Sequence, residues 1–495
     1  MTISDTNRKD ITSGIIVLVA AVLLRAWFYH CGGTFIARPL QFALQYLDPK
    51  LLHEDLARSL LYLHSQPPLF NLLLGVVLKC SPFPNLSYWL LFSTIGLLIP
   101  LLLYHCLRSI GIGMRTALAA TLLFVFNPTL LLYEHLLYYT HLETFFVVLA
   151  ACSLARWCHT RSMASWCIVL IALLCLALVR SLYHPVFIAG LVIALVCFVF
   201  WITQDGRRGA HMLGAAMCIV ILPLFLLCIK NYILYDFFGT SSWDGMSLWN
   251  KVNAYDEMEL EALCDRGIIS RRGVEAGFEP FKSIDRYPGL AEQVRCHHPA
   301  DCALWKSTGK PNFNHSGYVA LSRALRSDAI ALIRHDPARF ALYTAGAYAL
   351  TLWYSSDSVH ALFENNMTIL APLEKLYRSL WFGFLGVHNR HSDKKVWLYA
   401  ACVTVVYVLV YGAGVRVAWR SARTGRASGG AVALLCMALH GYTLIVSSLI
   451  EFGENNRFRC PVDAALLILA ATAWVSWRTT RRTTRTNITT REDIL

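Results

Sequence analysis

Two adjacent carboxylates, Glu54 and Asp55, follow His53 and stand nine residues ahead of the run His64-Ser65-Gln66-Pro67-Pro68-Leu69. Neighbouring acids near a bilayer repel one another, and the repulsion raises one pKa into the range that suits a general base. The plain alternative is local: Asp55 opens the amphipathic run Asp55-Leu56-Ala57-Arg58-Ser59-Leu60-Leu61, and an acid favours the start of a helix.

Three further groups are hard to explain as packing. Tyr133-Glu134 and Thr140-His141-Leu142-Glu143-Thr144 flank the start of an apolar run. Ionisable side chains at such depth are costly and are functional candidates, with an interfacial helix cap as the alternative. Arg180, followed by Tyr183 and His184, and Lys230, followed by Asn231, close apolar runs with a cation. A phosphate would partner either cation; snorkelling to lipid headgroups is the structural alternative. Last, Glu451-Phe452-Gly453-Glu454-Asn455-Asn456-Arg457-Phe458-Arg459-Cys460-Pro461 packs two acids and two arginines into one connection. In an extended loop Arg457 and Arg459 would point the same way, toward an anion or toward a mutual salt-bridge network.

The elements that must carry these residues are membrane helices. The chain has 495 residues, 56% of them hydrophobic and only 15% charged, with a mean hydropathy of +0.48. Soluble proteins are about 25% charged. The deficit excludes a disordered chain, a nucleic-acid-binding domain and an ordinary soluble enzyme. Segments 13–29, 84–106, 115–132, 139–157, 163–181, 185–203, 211–230, 395–415, 429–450 and 461–477 are long and apolar enough to cross a bilayer. The stretch 67–80, bounded by Pro67-Pro68 and Pro82, suits a surface helix. Residues 337–354 either lie on the outer face or pair with 367–387, which gives ten to twelve spans.

Threading the ten spans in order gathers Arg8, Lys9, Arg108, Arg115, Arg156, Arg161, Arg207, Arg208, the Arg416–Arg426 group and the Arg478–Arg491 group on one side. The positive-inside rule makes that side cytoplasmic, with both termini on it. These residues absorb the net charge of +13. The candidate residues all fall on the opposite face. The expected layout is a transmembrane module at 1–230 with a first outer loop at 30–83, an outer lobe with surface or membrane helices at 231–394, and terminal spans with a basic tail at 395–495. Within the lobe, Cys264, Cys296 and Cys302 suggest a disulfide in an oxidising compartment; Cys296-His297-His298 with Cys302 also has the look of a zinc site. No internal repeat, Walker loop, GxGxxG or nucleophile elbow is present.

This order of motifs resembles the GT-C superfamily of lipid-dependent glycosyltransferases, and within it glycosyltransferase family 39, which includes the protein O-mannosyltransferases and the aminoarabinose transferase acting on lipid A. The matching positions are the acidic pair Glu54-Asp55, Pro67-Pro68-Leu69 opening a surface helix, Glu143 at the start of the fourth span, and Asn456-Arg457-Phe458-Arg459-Cys460-Pro461 near the end. The likeness covers most of 1–240 and the 451–461 element. It departs from the family in two places. Gln66 stands directly before Pro-Pro where the family has His or Lys, with His64 two residues earlier, and the acidic pair is Glu-Asp rather than Asp-Glu.

The resemblance implies an all-α, GT-C-like polytopic membrane protein that transfers a sugar, with inversion, from a polyprenyl-phosphate donor to a hydroxyl acceptor on a lipid, glycan or protein. Asp55 or Glu54 would be the base. Glu143, His64, Gln66, Arg180, His184, Lys230, Arg457 and Arg459 would contact substrate, the cations stabilising the leaving phosphate. Family members differ over a divalent cation, and no ligand spacing here decides for one. The expected location is a bacterial inner membrane with the site facing the periplasm and membrane lipid as a partner. In an endoplasmic reticulum membrane, Asn314-His315-Ser316 and Asn366-Met367-Thr368 would be glycosylation acceptors. The competing readings are a solute transporter, which would carry internal repeats and charges near the bilayer midplane, and a related oligosaccharide ligase or polymerase.

Overall fold

A computed structural model describes residues 3–292, 296–354, 360–380, 395–424, 427–451, 453–475 and 477. The protein is an all-α polytopic integral membrane protein. The described residues form helices and connections, with two isolated bridges, Ile36 to Leu136 and Trp305 to Pro311. Among the described residues eight helices are long and apolar enough to cross a membrane: Lys9–His30, Pro84–Ser109, Thr140–Thr160, Pro185–Thr203, Gly206–Tyr235, Val396–Thr424, Gly429–Ile450 and Asn455–Val475. The expected span 115–132 is a bent pair, Met114–Val125 and Pro128–Glu134, which meet at 56°. The expected span 163–181 is Met163–Val179, only 17 residues long but apolar throughout.

Local chemistry sets these boundaries. At the bend, Asn127 caps the second piece through its side chain, and Pro128 occupies the first turn, where its missing N–H costs nothing. Pro223 lies early in the last part of Gly206–Tyr235, and a π-helical turn at Met217–Ile221 absorbs the backbone bond that proline cannot make. Apolar residues left exposed along the spans, such as Leu23, Leu90, Ile193 and Leu409, face where lipid tails would lie.

The first connection folds into short pieces, Pro49–Glu54, Leu56–Leu61 and the surface helix Leu69–Cys80. The last of these buries Phe70, Asn71, Leu74 and Gly75, with Gly75 facing Leu52 and Leu56 of the two short pieces and Asn71 accepting the Leu47 amide. A lobe beginning near Trp243 has its own apolar core, including Trp249, Tyr287, Tyr318, Leu321 and Leu325. Its central helices, Asp244–Val252 and Gly317–His335, approach so closely that a Cβ on Gly245 would overlap the Ser322 carbonyl. A third cluster, built on Trp353, Tyr399 and Tyr407, joins Pro337–Leu352 to the terminal spans. The stretch 337–354 is thus a 16-residue helix packed on the bundle, and 367–380 belongs to the helix His360–Leu380. The Arg478–Arg491 group, with Arg426, lies outside the described residues.

Candidate active site

Asp55 interrupts the chain between Pro49–Glu54 and Leu56–Leu61, with φ −136° and ψ 61°. That break leaves its carboxylate about one third exposed and turns it toward the lobe, where His298 Nε2 lies 3.2 Å away. The His298 ring is buried, and its Nδ1 accepts the Ala300 amide. An accepting Nδ1 leaves the proton on Nε2, so His298 donates to Asp55. Arg58 stands further off, at 3.9 Å. Glu54, the last residue of its helix, is exposed.

Behind His298 sits Asp301, fully buried, at the centre of a cluster of donors. It accepts the His298 amide at 2.8 Å, the Tyr235 hydroxyl at 2.9 Å, His297 Nδ1 at 3.1 Å and the Cys302 thiol at 3.3 Å. Burial alone would raise its pKa, but the hydrogen bonds outweigh it and hold the carboxyl below its ordinary value. Tyr235, the last residue of its span, also donates to the Tyr62 carbonyl and packs its ring against His64, centroids 4.4 Å apart. His64 Nδ1 pairs with the Ser242 hydroxyl at 2.8 Å. Burial, with Lys230 close by, pushes the His64 imidazole down to about 3, so it is neutral. Lys230 donates to the Leu63 carbonyl at 2.6 Å, which fixes the same loop from the span below.

Ser242 is also on the wall of a cavity of about 630 Å³ between the span ends and the lobe. One side is formed by membrane-helix residues Tyr232, Tyr442, Val446 and Ile450. The other carries the hydroxyls of Thr240, Ser241, Ser242 and Ser247 with two lobe arginines, Arg323 and Arg326. These arginines sit one turn apart on Gly317–His335 and pair with Asp236 at 3.1 Å and Asp244 at 2.8 Å. All four ionic side chains are at least half exposed, so the pairs are weak and open to exchange. Gln66 and His184 line the cavity too; His184 caps Pro185–Thr203, and burial lowers its pKa.

A second charged cluster lies inside the bundle. Glu143 and Arg180 form a buried ion pair at 3.1 Å, with the guanidinium over the Phe458 ring at 3.8 Å. Arg457 donates to the Tyr138 hydroxyl at 3.1 Å and pairs with Glu454 at 2.8 Å. Arg459 turns the other way, to Asp463 at 3.0 Å and to the carbonyls of Thr351 and Leu352. Residues 455–459 are helical, not extended, so positions two apart diverge by about 200° rather than aligning. Arg25 and Glu134 form another shielded pair, with Nε to Oε1 at 2.7 Å, which the sequence did not suggest.

The candidates therefore fall into three places. Asp55 and His64 belong to one chain of contacts with Tyr235, Asp301 and His298. Gln66 and His184 line the cavity. Glu143, Arg180 and Arg457 share the buried cluster, and Arg459 points away from it. Asp55, Glu143, Arg180 and Arg457 do not line a single groove. Glu143, expected to contact substrate, is already paired with Arg180. Among the described residues no group of three or more His, Cys, Asp or Glu side chains is placed to hold a metal ion.

Cys264, Cys296 and Cys302 are free thiols, against the disulfide expectation. Cys302 instead gives its hydrogen to Asp301, and burial pushes its thiol up to about 12. Both glycosylation triplets are structural. Asn314 Oδ1 accepts the His64 and Ser65 amides while its Nδ2 donates to the Tyr62 and Ala300 carbonyls. Asn366 bonds the backbone of Thr34 from both ends of its amide.

No family model matches this chain, and no curated protein does. Among solved structures, an archaeal oligosaccharyltransferase from Archaeoglobus fulgidus, solved with an inhibitory peptide and a dolichol-phosphate, is similar at 13% identity and a TM-score of 0.41. The alignment takes in 96% of this chain and 51% of that one, so the chain spans about half the length of that relative.

Proposed function

We propose that this protein is a membrane glycosyltransferase of the GT-C type that moves a sugar from a polyprenyl-phosphate donor to a hydroxyl acceptor, with inversion. The observation that carries the reading is the cavity. It places lipid-compatible residues, Val446, Ile450 and Tyr442, opposite two arginines and four hydroxyls. An apolar chain entering between the span ends would leave a phosphate among groups able to bind it, and Arg323 and Arg326 are the residues that would balance charge as the phosphate departs. Each would exchange its exposed aspartate for the phosphate.

In this reading Asp55 takes the acceptor proton while the hydroxyl oxygen attacks the anomeric carbon, and the sugar–phosphate bond breaks on the opposite face. Asp55 is about one third exposed and oriented by a buried donor, which suits that role; Glu54 is its exposed neighbour. Asp55 does not line the cavity, so its loop and the lobe turn that holds it through His298 must shift together toward the donor when both substrates are bound. Glu143, held by Arg180, shapes the bundle beneath the site.

The test is reconstitution in lipid nanodiscs with undecaprenyl phosphate carrying radiolabelled hexoses, following release of the lipid phosphate. Loss of release in Asp55→Asn, with the fold intact, supports the reading. Full activity in both Asp55→Asn and Glu54→Gln overturns the base assignment.

A further inference from the structure

We propose that His298 is a positioning residue: it fixes the Asp55 carboxylate by donating from Nε2, while its Nδ1 caps the turn that follows. The inference rests on the glycosyl-transfer reading only for its effect on rate; the geometry stands without it. Three observations support it. The Asp55–His298 contact is 3.2 Å and links residues 243 apart in sequence, so neither loop has a local reason to make it. The ring has one tautomer available, because the Ala300 amide donates to Nδ1. And the ring cannot swing away. It stacks on Tyr62, nearly parallel at 14° and 5.6 Å, and its own backbone amide is held by Asp301.

The groups around this pair from every side are few. Arg58 reaches Asp55 from the same short helix, His297 and Asp301 come from the His298 turn, and Tyr62 and Tyr235 close the back. Asp301 is bonded to donors of its own turn and to Tyr235. It acts through the turn, by collecting the amides of His297 and His298. A partly exposed aspartate without this donor would sample several rotamers, and a base displaced by about 1 Å can cost a hundredfold in rate.

The two jobs of the ring can be separated by substitution. In His298→Asn the side-chain oxygen can still cap the Ala300 amide, as asparagine does at helix starts, but the side chain is too short to reach Asp55. In His298→Gln the terminal amide sits where Nε2 was and can donate to Asp55, while the cap is lost.

The primary readout needs no substrate: site-resolved labelling of Asp55 in the full-length protein by a water-soluble carbodiimide with an amine, followed by mass spectrometry. His298→Asn should label Asp55 several-fold faster than wild type, and His298→Gln should label near the wild-type rate. If the two variants label alike, or if Asn matches wild type, the positioning role is overturned and the ring is only a cap.

The second readout is sugar transfer. His298→Asn should lower kcat about a hundredfold with KM for the lipid donor unchanged, and His298→Gln should recover at least tenfold of that loss. Transfer that survives Asp55→Asn defeats the base assignment whatever the labelling shows. Transfer abolished by Asp55→Asn but untouched by His298→Asn defeats the positioning role alone.

Discussion

Glu143 and Arg180 are counter-ions 3.1 Å apart, with side chains 0% and 4% exposed. Removing one partner from such a pair strands a charge where water cannot reach it, which costs about 3–5 kcal/mol. Glu143→Gln and Arg180→Gln should therefore each lower the thermal midpoint in detergent sharply. The double replacement Glu143→Leu with Arg180→Met should recover most of the loss. Midpoints that stay at wild type in either single variant would show the pair to be dispensable.

Gly245 carries the closest approach between the two central lobe helices. A methyl there meets the Ser322 backbone carbonyl, which is not a flexible neighbour. Gly245→Ala should destabilise the lobe by about 1–3 kcal/mol or more through overpacking. Limited proteolysis of residues 243–335 should quicken, while the membrane helices stay protected.

His64 gives the fold a pH dependence. Its ordinary value is 6.5 and its folded value about 3, so the unfolded chain binds the proton more readily. Stability is then full above 6.5 and falls as the pH drops from there toward 3, by up to about 1.4 kcal/mol per pH unit. The groups facing the ring are Lys230, Asp301, His315, Ser242 and Tyr235. His64→Gln should flatten the fall in thermal midpoint between pH 6.5 and about 5. An unchanged slope would assign that pH sensitivity elsewhere.

The cavity can be closed from the membrane side. Val446→Trp adds a bulky ring on its wall and should reduce transfer at least tenfold with little change in thermal midpoint. Arg326→Ala should raise KM for the lipid donor, since it removes one of the two cations facing the hydroxyls. Unchanged kinetics in both variants would move the donor to another part of the protein.

Hydrophobicity alone made the membrane architecture readable, because a bilayer demands long uninterrupted apolar runs. Each of the ten segments proposed from sequence coincides with a helix, including the one that Asn127 and Pro128 bend. Arg180 stood out as a cation on the wrong side of the charge pattern and in need of a partner; its partner is Glu143, 37 residues earlier, rather than a phosphate. The lobe was less legible. Arg323 and Arg326 look like ordinary charges on an amphipathic helix, and only folding brings them over the span ends. His297 and His298 were visible as metal-like residues, but their partners, Asp55 and Asp301, come from a distant loop and from within the same turn. Long-range pairing of this kind leaves no periodicity to read.

Asn314 gives the chain a timetable. The loop holding Asp55 is made early, yet the side chain that receives the His64 and Ser65 amides arrives about 250 residues later. A chain made only as far as Tyr235 could hold the Leu63 and Tyr62 carbonyls through Lys230 and Tyr235, but it would leave the His64 and Ser65 amides without their acceptor. The loop's backbone is therefore fully paired only when the lobe docks on it.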